Sequence, residues 1–265
     1  MLAAQKWALI TGASEGIGKQ CAIALASSGF SLLLVARRQD KLERLAKNII
    51  DEYSVECEFL SCDLTEVASI DRIYDWLNHS QRSIQVLLNN AGGAKKNAPL
   101  HKLDRDDWQH AFVLNLFSIV DLTNKILPLI DKQGRGRIIN ISSINANSPG
   151  FFNPHYSAAK AALNNFSKHL SKQLASSQVT VNTVSPGIIE TEGWHGHMQK
   201  VALDVNLPVK HVVDEAKTNA SKRIPLGRMG TVNDVASLVN FLASESAGYI
   251  TGSDFTVDGG KRHEM

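Results

Sequence analysis

Trp7-Ala8-Leu9-Ile10-Thr11-Gly12-Ala13-Ser14-Glu15-Gly16-Ile17-Gly18 joins a short apolar run to a glycine-rich turn, and this stretch decides the fold. Residues 7–10 are apolar without alternation, as a strand covered on both faces requires. Gly12 and Gly16 let the backbone turn sharply and come close to a ligand, while Gly18 lets a following helix pack tightly on the sheet. A helix opening at Gly16 presents unpaired N–H groups, Ile17 among them, to an anion such as a pyrophosphate. The position of the turn at a strand-to-helix junction, more than its glycines, predicts a dinucleotide site.

The same alternation continues along the chain. Apolar runs at Leu32 to Val35, Glu58 to Leu60, Val86 to Leu88, Arg137 to Ile141, Val179 to Val184 and Asp254 to Val257 predict further strands. Between them, Gly16 to Ser28, Lys41 to Tyr53, Glu66 to His79, Asp106 to Leu127, His155 to Ser176 and Val232 to Ser244 carry helical patterns. Asp40 followed by Glu43 reads as a capping box for the second helix. The series predicts an α/β, Rossmann-type doubly wound, mainly parallel seven-stranded sheet with helices on both faces, as one domain over residues 1–265. The rhythm breaks between Thr191 and Arg223. There Trp194, Met198, Val201 and Val205, then Val209, Val212, Val213 and Ala216, fall at helical spacing and predict two short amphipathic helices. They either pack on the body of the domain or form a substrate lid over 192–222 at the carboxyl edge of the sheet.

Composition narrows the class. A formal charge of +2 spread over 265 residues gives no basic block for nucleic acid, and no run approaches the ~18 apolar residues of a membrane span. Cys21, Cys57 and Cys62 show no metal-type pairing and read as free, mostly buried thiols of a reducing, cytoplasmic compartment. Nine histidines include His195-x-His197, but no further ligand stands at metal spacing, so no metal site is expected.

Two further patterns carry chemistry. Where NAD-binding chains commonly place an acid about twenty residues past the glycine turn, this one ends its second strand with Ala36-Arg37-Arg38. Guanidinium groups there suit a 2′-phosphate and point to NADP(H). Tyr156 and Lys160, four apart, share one helix face. A cation beside the phenol favours its ionised form, which brings a group that titrates near ~10 toward acid–base use.

In order, Thr11-Gly-x-x-x-Gly-x-Gly18, Asp63, Asn89-Asn90-Ala91-Gly92, Asn115, Ser142-Ser143, Tyr156-x-x-x-Lys160 and Pro186-Gly187-x-x-x-Thr191 resemble the short-chain dehydrogenase/reductase family. The resemblance runs nearly to the end of the chain, through Arg223 to Arg228 and Thr251 to Gly260. It implies a ketone or secondary-alcohol oxidoreductase in which Tyr156 is the general acid or base. Lys160 would hold the nicotinamide ribose and lower the tyrosine's pKa, and Ser143 would donate to the substrate oxygen. Asn115 would anchor a water-mediated proton relay. It further implies Ser14 at the 2′-phosphate, Asp63 at the adenine edge, and Asn90, Ala91 and Gly92 beside the adenosine ribose. Pro186, Gly187, Ile189 and Thr191 would meet the nicotinamide carboxamide, and the assembly would be a homotetramer. A ketoacyl-thioester reductase, docking an acidic carrier on residues such as Lys168 and Lys172, is a rival within the class, and a non-catalytic NADP(H)-sensing regulator is a rival outside it. His155, Phe151 and Phe152 fit either a pocket mouth or plain packing, and Lys95 and Lys96 either an acidic substrate or solvent.

Overall fold

Alternate residues of the first strand, β1 (Trp7–Thr11), feed two different cores in the computed structural model, which describes residues 6–80 and 82–262. Ala8 and Ile10 join one buried cluster, and Trp7 and Leu9 join the other. Strand β2 (Ser31–Ala36) divides likewise, Leu32 and Leu34 against Leu33 and Val35. Side chains on a strand point to opposite faces in turn, so a sheet covered twice needs apolar residues at every position.

The chain alternates as the sequence predicts. Helix α1 (Gly16–Ser27) follows β1, α2 (Gln39–Tyr53) follows β2, and α3 (Val67–His79) follows β3 (Cys57–Ser61). Strand β4 (Ile84–Asn89) leads to α4 (Arg105–Phe112) and α5 (Ser118–Ile126), and β5 (Arg137–Ile141) leads to α6 (Pro154–Gln173). After β6 (Thr180–Pro186) come β7 (Ile189–Glu190), α7 (Glu192–Asp204), α8 (Val209–Ser221), β8 (Gly230–Thr231), α9 (Val232–Ala243) and β9 (Asp254–Val257). The seven-stranded sheet has the order β3-β2-β1-β4-β5-β6-β9, and every pairing is parallel. Winding reverses between β1 and β4, which opens a crevice at the carboxyl ends of the strands. Helices α1, α2 and α9 supply Leu25, Leu42 and Val239 to one core, and α3, α5 and α6 supply Ile73, Leu122 and Leu170 to the other. All three cysteines are free and buried, and burial pushes the Cys21 and Cys57 thiols up to about 12.

Four local features depart from the sequence reading. The helix predicted over Asp106 to Leu127 runs unbroken only by passing through a π-helical turn, Val113–Phe117, that carries Asn115. By length and mean hydropathy (1.4 over its most apolar window), Arg105–Leu129 could cross a bilayer, although Asn115, Asp121 and Lys125 interrupt its apolar run; its inner side packs on α3 and α6. The expected Asp40–Glu43 capping box is absent. Helix α2 begins earlier, its N-cap is Arg38, and Asp40 sits inside the first turn, where it pairs with Arg44 at 2.5 Å. Finally, α7 and α8 match the two expected amphipathic helices, yet Ala202 and Val212 are their only fully buried residues and Val205 and Val209 are exposed. The short parallel pair β7·β8, which gave no sequence signal, brackets them.

Helix α9 shows what a complete cap looks like. Thr231 Oγ1 accepts from the Asp234 N–H at 3.2 Å, and Asp234 accepts in return from the Thr231 N–H at 2.7 Å. Arg228 grips the same carboxylate with both terminal nitrogens, at 2.8 and 3.0 Å. Arg228 first, and then Thr231, hold the Asp234 carboxyl well below the usual carboxylate range. Its stabilising effect is therefore present above the unfolded-state pKa and is lost as pH falls through the lower folded value. Thr231→Ala is expected to lower the unfolding free energy by ~1 kcal/mol in a urea titration at neutral pH. Asp234→Asn should lose stability at neutral pH and converge on wild type in strong acid.

Candidate active site

The carboxyl ends of β1, β2, β4, β5 and β6 surround one cavity of about 430 Å³. At its centre the glycine turn is pinned from the end of β4. Asn90 Nδ2 donates to the carbonyls of Thr11 (3.0 Å) and Gly12 (3.1 Å), and Thr11 Oγ1 accepts from the Asn90 and Ala91 N–H groups at 2.9 and 3.0 Å. Gly12 (φ +64°) and Gly16 (φ +59°) both lie in the left-handed region. A Cβ on Gly12 would come within 2.8 Å of Asn90 Nδ2, and one on Gly18 would strike the Gly12 carbonyl. Gly12, Ser14, Gly16, Ile17, Asn90, Ala91 and Gly92 line the cavity; Gly18 does not, and its role is packing beneath the turn.

Charges gather at the end near β2. Arg38 Nη2 donates to Ser14 Oγ at 2.9 Å and Arg38 Nη1 lies 2.7 Å from Glu15 Oε2. The exposed Arg37 sits 3.9 Å from Asp63, whose Oδ1 accepts from the Thr65 N–H and hydroxyl. Arg37, Arg38, Glu15 and Asp63 all line the cavity, whereas Asp40 does not and is turned to Arg44. The opposite wall is Pro186, Gly187, Ile189 and Thr191. Thr191 doubles as the N-cap of α7, its Oγ1 accepting from Trp194 N–H at 3.0 Å.

Ser143, Tyr156 and Lys160 meet on the cavity floor. Lys160 is 2% exposed and its Nζ donates to the Ile141 carbonyl at 2.7 Å. Burial alone pushes this lysine down to about 7. Tyr156 lies one turn away, with Lys160 Nζ 5.9 Å from its ring centre. Burial raises the phenol above its ordinary value, and a hydrogen bond with Ser143 opposes the rise. The expected lowering of the phenol's pKa by Lys160 does not show among these side chains: the lysine nitrogen is engaged by the Ile141 carbonyl, burial disfavours its charge, and the phenol is raised. Both serines line the cavity, and their hydroxyls have different partners. Ser142 is 3% exposed, with its Oγ turned to the Lys160 carbonyl, whereas Ser143 faces Tyr156.

Asn115 stands behind this floor, fully buried, and does not line the cavity. Its Nδ2 donates to the carbonyls of Gly93 (2.9 Å) and Ala111 (2.8 Å), and its Oδ1 accepts from the Gly93 N–H at 2.9 Å. A Cβ on Gly92 would lie 2.8 Å from Asn115 Oδ1 and 3.1 Å from Lys160 Nζ, so the asparagine and the lysine converge on that glycine.

The ambiguous residues also find places. His155 is buried against Trp108, with its ring 6.1 Å away, and Phe151 and Phe152 form an exposed edge-to-face pair. Lys96 pairs with Asp107 at 2.9 Å. His195 Nε2 lies 2.8 Å from Glu190, which also binds Lys217, and among the described residues no three His, Cys, Asp or Glu side chains cluster as metal ligands. Sequence reading missed Glu192, whose Oε2 accepts from the Gly16 N–H at 2.9 Å across 176 positions, and the apolar wall of Leu64, Leu114 and Ile141. Neither has a local signature.

The family model for short chain dehydrogenase matches residues 6–202. The 3-oxoacyl-[acyl-carrier-protein] reductase FabG of Salmonella typhimurium is 33% identical over 255 residues, with 96% of each chain covered. That of Aquifex aeolicus is 34% identical with the same coverage. Among solved structures, L-sorbose reductase from Gluconobacter frateurii, complexed with NADPH and L-sorbose, superposes with a TM-score of 0.92 at 30% identity, covering 99% of this chain and 98% of that one. YwfH, an NADPH dependent reductase involved in bacilysin biosynthesis, gives 0.90 at 30% identity over 99% and 100% of the two chains. A glycine turn pinned by Asn90, a Ser143–Tyr156–Lys160 floor and relatives matched from end to end lead to one assignment: this chain belongs to the short-chain dehydrogenase/reductase family.

Proposed function

We propose that the protein is an NADP(H)-dependent oxidoreductase that interconverts a ketone and a secondary alcohol. The observation that carries this reading is the placement of Ser143, Tyr156 and Lys160 on the floor of a cavity whose far end presents Ser14, Arg37 and Arg38. The residues present fit the cofactor. Gly12, Gly16 and Ile17 line the cavity where α1 opens, which suits a pyrophosphate, and the end of β2 offers the cations Arg37 and Arg38. Asp63 would meet the adenine edge, Asn90, Ala91 and Gly92 the adenosine ribose, and Pro186, Gly187, Ile189 and Thr191 the carboxamide. Tyr156 and Lys160 would hold the nicotinamide ribose. When bound, the cofactor supplies the hydride for the carbonyl carbon.

The chain's own residues do the rest. Ser143 donates a hydrogen bond to the carbonyl oxygen and polarises it. Tyr156 passes its phenolic proton to that oxygen as it becomes an alkoxide, and in the reverse direction the phenolate accepts it. Lys160, in its charged form, stabilises the phenolate left behind, and a water-mediated relay anchored by Asn115 would bring a new proton from solvent to restore the phenol.

Similarity to 3-oxoacyl-[acyl-carrier-protein] reductases over 96% of the chain favours a second substrate reading, a ketoacyl thioester on a carrier protein. On the surface such a carrier would use, Lys172 is exposed, but Lys168 Nζ donates to the Gly252 carbonyl and is less available than the sequence suggests. A regulator that binds NADP(H) without turnover is disfavoured, because the acid–base set is assembled and buried. We take 192–222 as a lid, on the strength of its weak burial and its position beside Pro186 and Thr191. We take the protein to be cytoplasmic, in keeping with its free buried cysteines, and to have no nucleic-acid or membrane partner, in keeping with a formal charge of +2 without a basic block. We take the assembly to be a homotetramer, which light scattering of the purified protein would show as four times 28.9 kDa.

NADPH oxidation measured across simple ketones, sugar carbonyls and ketoacyl thioesters should find turnover, and Tyr156→Phe should lower it by at least ~100-fold without loss of NADPH binding. Undiminished turnover in that variant would remove Tyr156 from the mechanism. Because burial raises the phenol, it is protonated at neutral pH. Ketone reduction should therefore persist through neutral pH and fall as pH climbs through the phenol's titration, while alcohol oxidation rises over the same range. Gly92→Ala should cut turnover by about tenfold by displacing Lys160 and Asn115, since small misplacements of reacting groups cost that much or more.

A further inference from the structure

The end of the cavity that takes the adenosine half of the cofactor contains an anion of the chain's own. Arg38 divides its guanidinium between Ser14 Oγ, at 2.9 Å, and Glu15 Oε2, at 2.7 Å. Lys41, in the first turn of α2, donates to the same Glu15 oxygen at 3.0 Å. One carboxylate oxygen thus serves two cations, on the wall of the cavity that Ser14 and Arg38 also line. Arg38 foremost, and Lys41 with it, hold the Glu15 carboxyl below its ordinary range, so it is ionised at neutral pH. The neighbouring charges are accounted for: Asp40 pairs with Arg44, Arg37 faces Asp63 at 3.9 Å, and Glu192 adds only a longer-range attraction on Arg38.

A 2′-phosphate and a carboxylate compete for the same donors. Two like-charged groups sharing a pair of cations repel each other, and at a half-exposed site that repulsion is reduced by solvent but not abolished. A ribose 2′-hydroxyl carries no charge and is compatible with a carboxylate beside it. We propose that Glu15 is a specificity-determining residue that moderates the preference for NADP(H) over NAD(H), acting as an internal anion that competes with the 2′-phosphate for Arg38 and Lys41. Lys41, which the sequence reading left out of the site, is on this account the second cation of the phosphate subsite. The proposal rests on Arg38 as a phosphate ligand, and its test separates the two.

The experiment is an equilibrium fluorescence titration of the full-length protein with NADPH and, separately, with NADH. Glu15→Gln keeps the size and a hydrogen-bond acceptor but removes the charge, and should tighten NADPH about fivefold while NADH stays within about twofold. Lys41→Gln should weaken NADPH selectively. An unchanged NADPH-to-NADH ratio in Glu15→Gln, or a weaker NADPH with NADH intact, would overturn the proposal; the latter result would make Glu15 a clamp for Arg38. Equal loss of both cofactors would overturn it too, since a structural role moves both. Arg38→Gln is the control for the underlying reading: it should weaken NADPH alone, and if it leaves the ratio untouched, the phosphate subsite itself is misplaced.

Discussion

The bonds between Asn90 and the β1 turn are the constraint on which the site depends. A parallel sheet that reverses its winding between β1 and β4 leaves a crevice there, but a crevice in a sheet is only a gap until its edges are fixed. Asn90 fixes them by spending both hydrogens of its side-chain amide on the Thr11 and Gly12 carbonyls, while Thr11 returns a hydroxyl to the backbone of Asn90 and Ala91. The glycine turn then has one shape, and the missing side chains at Gly12 and Gly18 are what let Asn90 come so close. Every other wall of the cavity takes its position from strands in register with these two.

Electrostatics decide what that cavity does. At the end near β2 the cations are near the surface and already have partners, Arg38 being held by Ser14 and Glu15. On the floor that Ser143, Tyr156 and Lys160 share, the opposite holds. Lys160 and the phenol of Tyr156 are shut away from water, and burial moves both toward their neutral forms, the lysine down to about 7 and the tyrosine up. Both shifts work against the phenolate–ammonium pair, which an open surface would not disfavour in this way. A hydrogen bond with Ser143 opposes the shift of the phenol.

Much of this was legible in the residues. Unbroken apolar runs such as Trp7 to Ile10 gave the strands because two-sided burial leaves no polar alternation, and the glycine turn gave the crevice because its φ values belong to glycine. The four-residue spacing of Tyr156 and Lys160 gave their shared face. Where local rules competed, they misled. Asp40 and Glu43 satisfy the pattern of a capping box, yet α2 starts two residues earlier and Asp40 finds Arg44 instead. For Trp194 to Val205 the helical spacing left packing and a lid both open, and the helix there has Ala202 as its one buried residue.

The sequence by itself determined the layered α/β architecture, the position of the glycine turn and the shared helix face of Tyr156 and Lys160, because each is written in residues close together or in a repeating period. Only the tertiary structure decided that Ser143 and not Ser142 faces the phenol, that Asn115 and Lys160 converge on Gly92, that Glu15 binds two cations at once, and that Glu192 reaches Gly16 from 176 positions away. Those facts depend on which elements pack together and at what register. Contact and burial act through space, and no spacing along the chain encodes them.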